Sequence, residues 1–335
     1  VGFVLEGSVR KAGDMVRVTA QLVEAEGGTH VYSENYDREL TASNLFDIQD
    51  DIASHVAAEI AEPHGVLSRI GGRDRRWQTD NLDAYECALA TLEYWRCPTE
   101  DVHREMRERL EKAVTLDPEY ATAWAMLAIL YGDEVRAGFN VRLEPPPLDR
   151  ALQAALKAVD LDPLNAPGYH ALFLTLFHRG EFDQYRAAAG KALDLNPNYP
   201  DMLADMAACT ALSGDWDRAL ELFARAIDLS PNPPPWYHTI PMVNAYRLGD
   251  YEAALESARL IGDSLWQSMG PMFELAILGQ LGRREEARPI VDGILETVPE
   301  LPNIIVELLA PWHFPPDLLE HFVEGWRKAG LAIPD

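Results

Sequence analysis

The sequence predicts a mainly α protein, a superhelical solenoid of paired helices preceded by a small α+β domain with antiparallel hairpins. Three observations carry this prediction. Helix-closing prolines recur at Asp117-Pro118, Asp162-Pro163, Asn196-Pro197, Ser230-Pro231 and Val298-Pro299. Their spacings are 45, 34, 34 and 68 residues, so one 34-residue period holds once an 11-residue insertion is allowed before Pro163. Glycines 180, 214, 249 and 282 recur beside them at spacings of 34, 35 and 33. Residues 1–37, by contrast, alternate at period two.

The alternating part reads as three strands. Phe3 to Arg10 is the first, and Lys11-Ala12-Gly13-Asp14 is a turn signal. Met15 to Val23 is the second, Glu26-Gly27-Gly28-Thr29 turns again, and His30 to Tyr36 is the third. Tight turns make the pairing antiparallel. From Leu45 the period changes, and Leu45, Ile48, Ile52, Val56 and Ile60 fall on one face of a helix ending near Pro63. Three strands and one helix are thin for a domain, and the chain opens on Val1 in strand-like sequence. The expectation is the second half of a domain over 1–64, within a longer parent. Residues 65–79, with Gly71-Gly72 and the basic run Arg73-Asp74-Arg75-Arg76, read as a linker.

About six helix pairs are expected over 80–316, with the insertion inside 132–150 and a stiff Pro145-Pro146-Pro147 loop. Trp124, Leu127, Ala128 and Tyr131 alternate large and small residues along one helix, and Ala151, Ala155, Ala158 and Pro163 follow on its partner. The next two units repeat the scheme with Tyr169, Leu172, Gly180, Ala189, Ala192 and Pro197, then Met206, Ala207, Gly214, Ala219, Phe223, Ala226 and Pro231. Small residues let antiparallel helices approach, and large ones fill the space around that contact. Gly ends a first helix in the left-handed conformation without steric cost. Pro stops a second helix. One pair cannot bury both its faces, so neighbours must stack. Pro241 falls inside an expected first helix and should kink it or shift its start. Leu318, Leu319, Phe322, Val323 and Trp326 mark an amphipathic capping helix over 317–335.

These positions resemble the tetratricopeptide repeat (TPR) pattern of a Trp, Leu, Gly and Tyr first helix and an Ala, Phe, Ala and Pro second helix. The N-terminal blocks Leu5 to Arg10, Val16 to Leu22, Tyr36-Asp37-Arg38 and Phe46 to Asp50 resemble the TolB amino-terminal-like domain. Gly325 to Leu331 is similar to the end of bacterial proteins that join that domain to TPR arrays. Such proteins often carry a class III adenylate/guanylate cyclase domain or a CadC-like winged helix upstream. The resemblance implies a binding or scaffolding region of a bacterial signalling protein. Its alternatives are the regulatory end of a cyclase or the sensory region of a CadC-like transcription regulator. No cyclase metal-binding motif lies in this chain.

Composition narrows the partners. Of 335 residues, 54 are Asp or Glu against 29 Lys or Arg, a net charge of −25. Such a surface repels phosphate backbones and anionic lipid heads, so nucleic acid and membrane surfaces are not expected partners. No apolar run reaches the roughly 20 residues of a membrane span. Cys87, Cys97 and Cys209 are too few and odd in number for a disulfide framework, which fits a reducing, cytoplasmic setting. A periplasmic setting is the alternative if a membrane span lies upstream. No phosphate loop, nucleophile elbow or zinc helix motif is present, so no catalysis and no cofactor are expected. Asp47, Asp50 and Asp51 suit a helix start. His170 and His178 are eight apart without a third metal ligand.

The repeat resemblance implies that the second, fifth, ninth, twelfth and thirteenth places of each first helix line a concave groove. Counted from Ala166, Pro200 and Pro235, the candidates are His170, Leu174, Phe177, His178, Ala208, Leu212, Trp236, Val243, Tyr246 and Arg247. This face is neutral and apolar, unlike the Lys/Asn clamp with which some repeat proteins hold acidic tails. The expected partner is a protein or peptide with an apolar or aromatic surface, from another chain or from the same one. Phe177→Asp and Tyr246→Asp are expected to abolish its binding.

Overall fold

The computed structural model describes residues 3–24, 30–40, 48–49, 51–53, 55–56, 81–90, 94, 99–230, 233–261 and 269–334. They fall into two compact units. One comprises the N-terminal sheet and its helix together with 198–201 and 225–233, and the other comprises the remaining helices. The expected linker, the Glu26 to Thr29 turn, Leu45, Ile60 and Cys97 lie outside the described residues.

In the first unit, strands β1 (Phe3–Ala12), β2 (Met15–Glu24) and β3 (His30–Glu39) form an antiparallel sheet in the order β1-β2-β3. Ala12 pairs with Met15, leaving the two-residue loop Gly13-Asp14 with Gly13 at φ 62°. Only a residue without a Cβ adopts that angle cheaply, so the turn signal and the register are one fact. The even positions Val16, Ala20 and Leu22 of β2 are buried. Val16 and Ala20 cluster with Tyr36, Ile48 and Ile52, so the helical residues 48–49 and 51–53 pack on this face as their apolar spacing predicts. The odd positions carry a polar ladder: Arg17 to Asp37 at 2.6 Å, Thr19 to Asn35 at 2.6 Å and Gln21 to Ser33 at 3.1 Å.

The second unit is a stack of helix pairs. In chain order they are α1 (Leu82–Ala90) with α2 (Glu100–Leu116), α3 (Ala121–Arg136) with α4 (Pro147–Leu161), and α5 (Ala166–His178) with α6 (Phe182–Leu195). Then come α7 (Pro200–Leu212) and α8 (Trp216–Leu229), of which residues 200–201 and 225–229 group with the first unit, α9 (Thr239–Arg247) and α10 (Tyr251–Ile261), and α11 (Met269–Gln280) and α12 (Arg284–Thr297). Helices α13 (Leu301–Leu308) and α14 (Pro316–Ala329) close the chain. Gly180, Gly214, Gly249 and Gly282 end the first helices at φ 75°, 95°, 80° and 70°. After α5 the amide of Gly180 donates to the Phe177 carbonyl and that of Glu181 to the Leu176 carbonyl, which satisfies the last carbonyls of the helix. The Asp-Pro signals act through the acid as well as the proline. Asp117 and Asp162 accept at Oδ1 from the amides two residues on, at 3.1 and 3.0 Å.

Pro241 shifts its helix start. A 3-10 turn at Pro235–His238 precedes α9, placing Pro241 in the first α turn, where its missing N–H has no helical partner to lose. The insertion before α4 is anchored rather than loose. Glu134, its side chain fully buried, accepts from Arg107 at 2.8 Å, from both terminal nitrogens of Arg150 at 2.9 and 2.7 Å, and from the Arg142 amide at 2.7 Å. Burial alone would raise the Glu134 pKa, yet these donors hold it below the usual carboxylate value. The last helix enters the core. Leu318, Phe322, Trp326 and Ala329 of α14 are buried, and the Trp326 indole N–H donates to the Met272 carbonyl at 2.7 Å.

Candidate functional site

The first helices of successive pairs present the face that the repeat pattern assigns to a groove, and the chain's own C-terminal segment lies on it. After α13 the chain turns through a 3-10 turn at Ala310–Trp312 and a left-handed His313 at φ 52°. Prolines 311, 315 and 316 stiffen this strap. His178 Nδ1 lies 2.9 Å from the Pro311 carbonyl oxygen, which can only accept, so Nδ1 carries the proton. The Trp312 ring meets His178 edge to face at 5.0 Å between centroids, and His313 meets Phe177 and Phe182 at 5.6 and 5.1 Å. A Cβ on Gly180 would stand 3.3 Å from the His313 ring, so the glycine that ends α5 also makes room for the strap.

Next to these contacts is an apolar pocket with about 530 Å³ of empty space, part of it open to solvent. Ala208, Ala211 and Leu212 of α7 and Trp216 of α8 form one side. Thr239, Ile240 and Val243 of α9 and Phe273 of α11 form another, and Trp312 and Phe314 of the strap complete the wall. Among the described lining residues, Thr239 supplies the only hydroxyl and no side chain is charged. Arg247 stays outside, its guanidinium 4.2 Å above the Trp216 ring.

The candidate residues divide among several surroundings. Ala208, Leu212 and Val243 meet in the pocket. Phe177 and His178 meet the strap. Tyr246 is fully buried, its ring stacked on Phe322 at 4.4 Å and its hydroxyl donating to the His321 carbonyl at 2.7 Å. Trp236 is half-buried against Tyr237 at 4.5 Å. Leu174 is buried, and His170 turns to Asp205, with Nε2 2.8 Å from Oδ2. Thus His170 and His178 face different partners. Phe177 and Tyr246 are 1% and 0% exposed, so an aspartate at either would test folding before binding. The half-buried Ala208, Leu212 and Arg247 are the positions where a substitution reads the surface itself.

Electrostatics follow burial. The His178 pKa is pushed down to about 3, chiefly by burial and then by the Arg136 charge, against the opposing bond to Pro311. Arg136 forms an ion pair with Asp133 at 2.5 Å, and Asp133 also accepts from the Tyr94 hydroxyl at 2.8 Å. Burial would lower the Arg136 pKa, yet Asp133 and Asp205 keep it raised. Burial pushes the Cys209 thiol well up. Cys209 and Cys87 are buried, free thiols. Asp51, one of the clustered aspartates, binds Arg38 at 2.8 Å, while Asp47 and Asp50 lie outside the described residues.

Sequence reasoning missed the strap. Trp312, His313 and Phe314 lie outside the repeat pattern, and the available signal was an aromatic triplet between prolines, Pro311-Trp312-His313-Phe314-Pro315-Pro316.

Comparison with known proteins agrees with this architecture. No protein-family model matches the chain. A curated relative from Rhizobium meliloti (strain 1021), named "Putative adenylate cyclase 3", is 28% identical over 186 residues, 55% of this chain. The chain spans 30% of that relative's length. Among solved structures, human IFIT1, determined as a dimer with m7Gppp-AAAA, matches with a TM-score of 0.53 and 14% identity, over 86% of this chain and 67% of its own. The type IV pilus biogenesis factor PilW matches at a TM-score of 0.44 with 18% identity, over 65% of this chain and 95% of its own. Pseudomonas aeruginosa PilF matches at 0.43 with 18% identity, over 65% and 93%. No helix among the described residues is long and apolar enough to cross a membrane. By its period, its left-handed glycine caps and its stacked helix pairs, the chain has the fold of a tetratricopeptide-repeat solenoid, and a small three-stranded antiparallel sheet precedes it in the sequence.

Proposed function

We propose that this chain is a non-catalytic protein-interaction region of a bacterial signalling protein, which holds a protein segment on the face formed by its first helices. One observation carries the reading. That face already holds a polypeptide, the strap at 310–314, through aromatic contacts and a backbone carbonyl. A lining whose described residues are apolar and uncharged suits an apolar or aromatic partner surface.

The test is a photo-crosslinking side chain placed at Leu212 or Arg247 in cells that express the chain. The expected outcome is a discrete protein adduct, reduced at least tenfold by Ala208→Glu in a chain that keeps its helical circular dichroism. Adducts that persist unchanged with Ala208→Glu would refute the reading.

A second reading is favoured by the cyclase-named relative: the region regulates an adenylate/guanylate cyclase domain. In a fusion that places a class III cyclase domain before Val1, Ala208→Glu should change cyclic-nucleotide output at least threefold. Unchanged output removes this reading and leaves the first in place.

A further inference from the structure

The strap has the features of a bound ligand more than of a structural element. Its aromatic side chains Trp312, His313 and Phe314 are only half-buried, while Leu309 before it is 3% exposed and Phe322 and Trp326 after it are 1% and 0%. Both ends are therefore anchored, and the middle rests on the groove with its aromatic rings still partly in water. Among the described residues, its polar ties to α5 include the bond from His178 to Pro311 and a long contact of 3.4 Å from His313 Nε2 to the His178 carbonyl. Ring-against-ring contacts add to these, Trp312 on His178, His313 on Phe182 and Phe314 on Phe322, and a segment of the same chemistry can reproduce the first two.

The rings are also specifically spaced. Trp312 and Phe314 stand two residues apart and both wall the apolar pocket, while His313 between them turns the other way, over Gly180 and against Phe182. The left-handed backbone at His313 makes this split possible. The seat therefore reads two aromatic side chains at positions i and i+2 about a sharp turn, with a flat ring between them and a carbonyl just ahead for His178.

We propose that the strap is an intramolecular stand-in for the partner: the groove's ligand is a protein segment with the aromatic–ring–aromatic pattern of Trp312, His313 and Phe314, and it binds by displacing them. This rests on the interaction reading above and adds the chemistry of the partner and the competition that controls it. Tethering gives the strap an effective concentration in the millimolar range, so a partner of ordinary affinity binds only weakly until the strap leaves.

The experiment uses the whole chain and a fluorescent peptide of sequence 309–315 as the probe, read by anisotropy. The intact chain should bind it weakly. The variant W312S/F314S, with its own rings removed, should bind it at least tenfold more tightly. Adding Ala208→Glu should abolish that gain, and a peptide with the same composition but adjacent Trp and Phe should bind at least tenfold less tightly. Circular dichroism and melting of each variant establish that the array is folded. If W312S/F314S unfolds, the same comparison is made on Phe314→Ser alone. Equal binding to the intact and strap-variant chains overturns the proposal, as does binding indifferent to Ala208→Glu. A crosslinked partner protein retained equally by the intact chain and by W312S/F314S also overturns it, while leaving the interaction reading standing. Tight peptide binding to the variant supports the seat even where no partner is captured, in which case only the interaction reading fails.

Discussion

At the scale of single residues, two buried groups carry measurable consequences. Glu134 is a fully buried carboxylate held by Arg107, Arg150 and the Arg142 amide. Removing the acid leaves two guanidiniums uncompensated in the interior, and breaking such a buried cluster costs about 3–5 kcal/mol. Glu134→Ala is therefore expected to lower the melting temperature by many degrees in calorimetry, and Glu134→Gln by less. His178 gives a pH signature. Its pKa in the folded chain is about 3 against an ordinary value near 6.5, so the unfolded chain binds its proton first. The stability it contributes is complete above about pH 6.5 and drains away as pH falls toward 3, by about 2 kcal/mol at pH 5. Burial and the Arg136 and His313 side chains oppose protonation of His178, while the Pro311 carbonyl favours it. Urea denaturation at pH 7 and pH 5 should show this difference in the parent chain and not in His178→Gln, whose amide can still donate to Pro311. An unchanged pH slope in His178→Gln would sink the assignment.

At the scale of elements, glycines separate two kinds of constraint. Gly214 sits at φ 95° with open space where a Cβ would stand, so alanine there is opposed by backbone conformation alone, about 1–2 kcal/mol. Gly279 and Gly325 mark where α11 and α14 touch. A Cβ on Gly279 would lie 1.8 Å from the Gly325 carbonyl oxygen, and one on Gly325 would lie 2.5 Å from that of Ala276. No rotamer relieves a backbone clash, so α14 must move away and uncover Phe322 and Trp326. Gly279→Ala is expected to destabilise more than Gly214→Ala, by at least about 3 kcal/mol, with faster hydrogen exchange confined to α11 and α14. The repeat spacing made the left-handed caps legible. The Gly279–Gly325 contact was not legible, because it joins residues 46 apart, outside any period.

At the scale of the whole molecule, a net charge of −25 opposes compaction. Raising ionic strength from about 0.01 to 0.15 M shortens the screening length from about 30 to 8 Å. The melting temperature should rise over that range. A fall would mean that exposed pairs such as Arg17–Asp37 and Arg283–Glu252 outweigh the self-repulsion. A stack of pairs also folds through neighbour contacts, so truncation after residue 315 should loosen α11 and α12 first, where α14 packs, and leave α3 to α6 protected in hydrogen exchange.

What the sequence determined by itself is everything that repeats or alternates. The 34-residue period, the glycine caps, the proline stops, the paired strands and the apolar face of Ile48 and Ile52 are local matters, set by backbone sterics and the periodicity of burial. What only the tertiary structure decided is which surface is left for a partner. Phe177 and Tyr246 stand at positions where the repeat pattern implies a groove lining, but the last part of the chain returns over the first helices and buries them, while Val243 keeps its place in the pocket wall. The strap at 310–314 and helix α14 meet residues up to 135 positions upstream, and no local rule encodes contacts at that range. The return is decided by whether the chain finds an apolar seat for Trp312, Phe314, Phe322 and Trp326, and the stacked pairs supply that seat only once they are assembled.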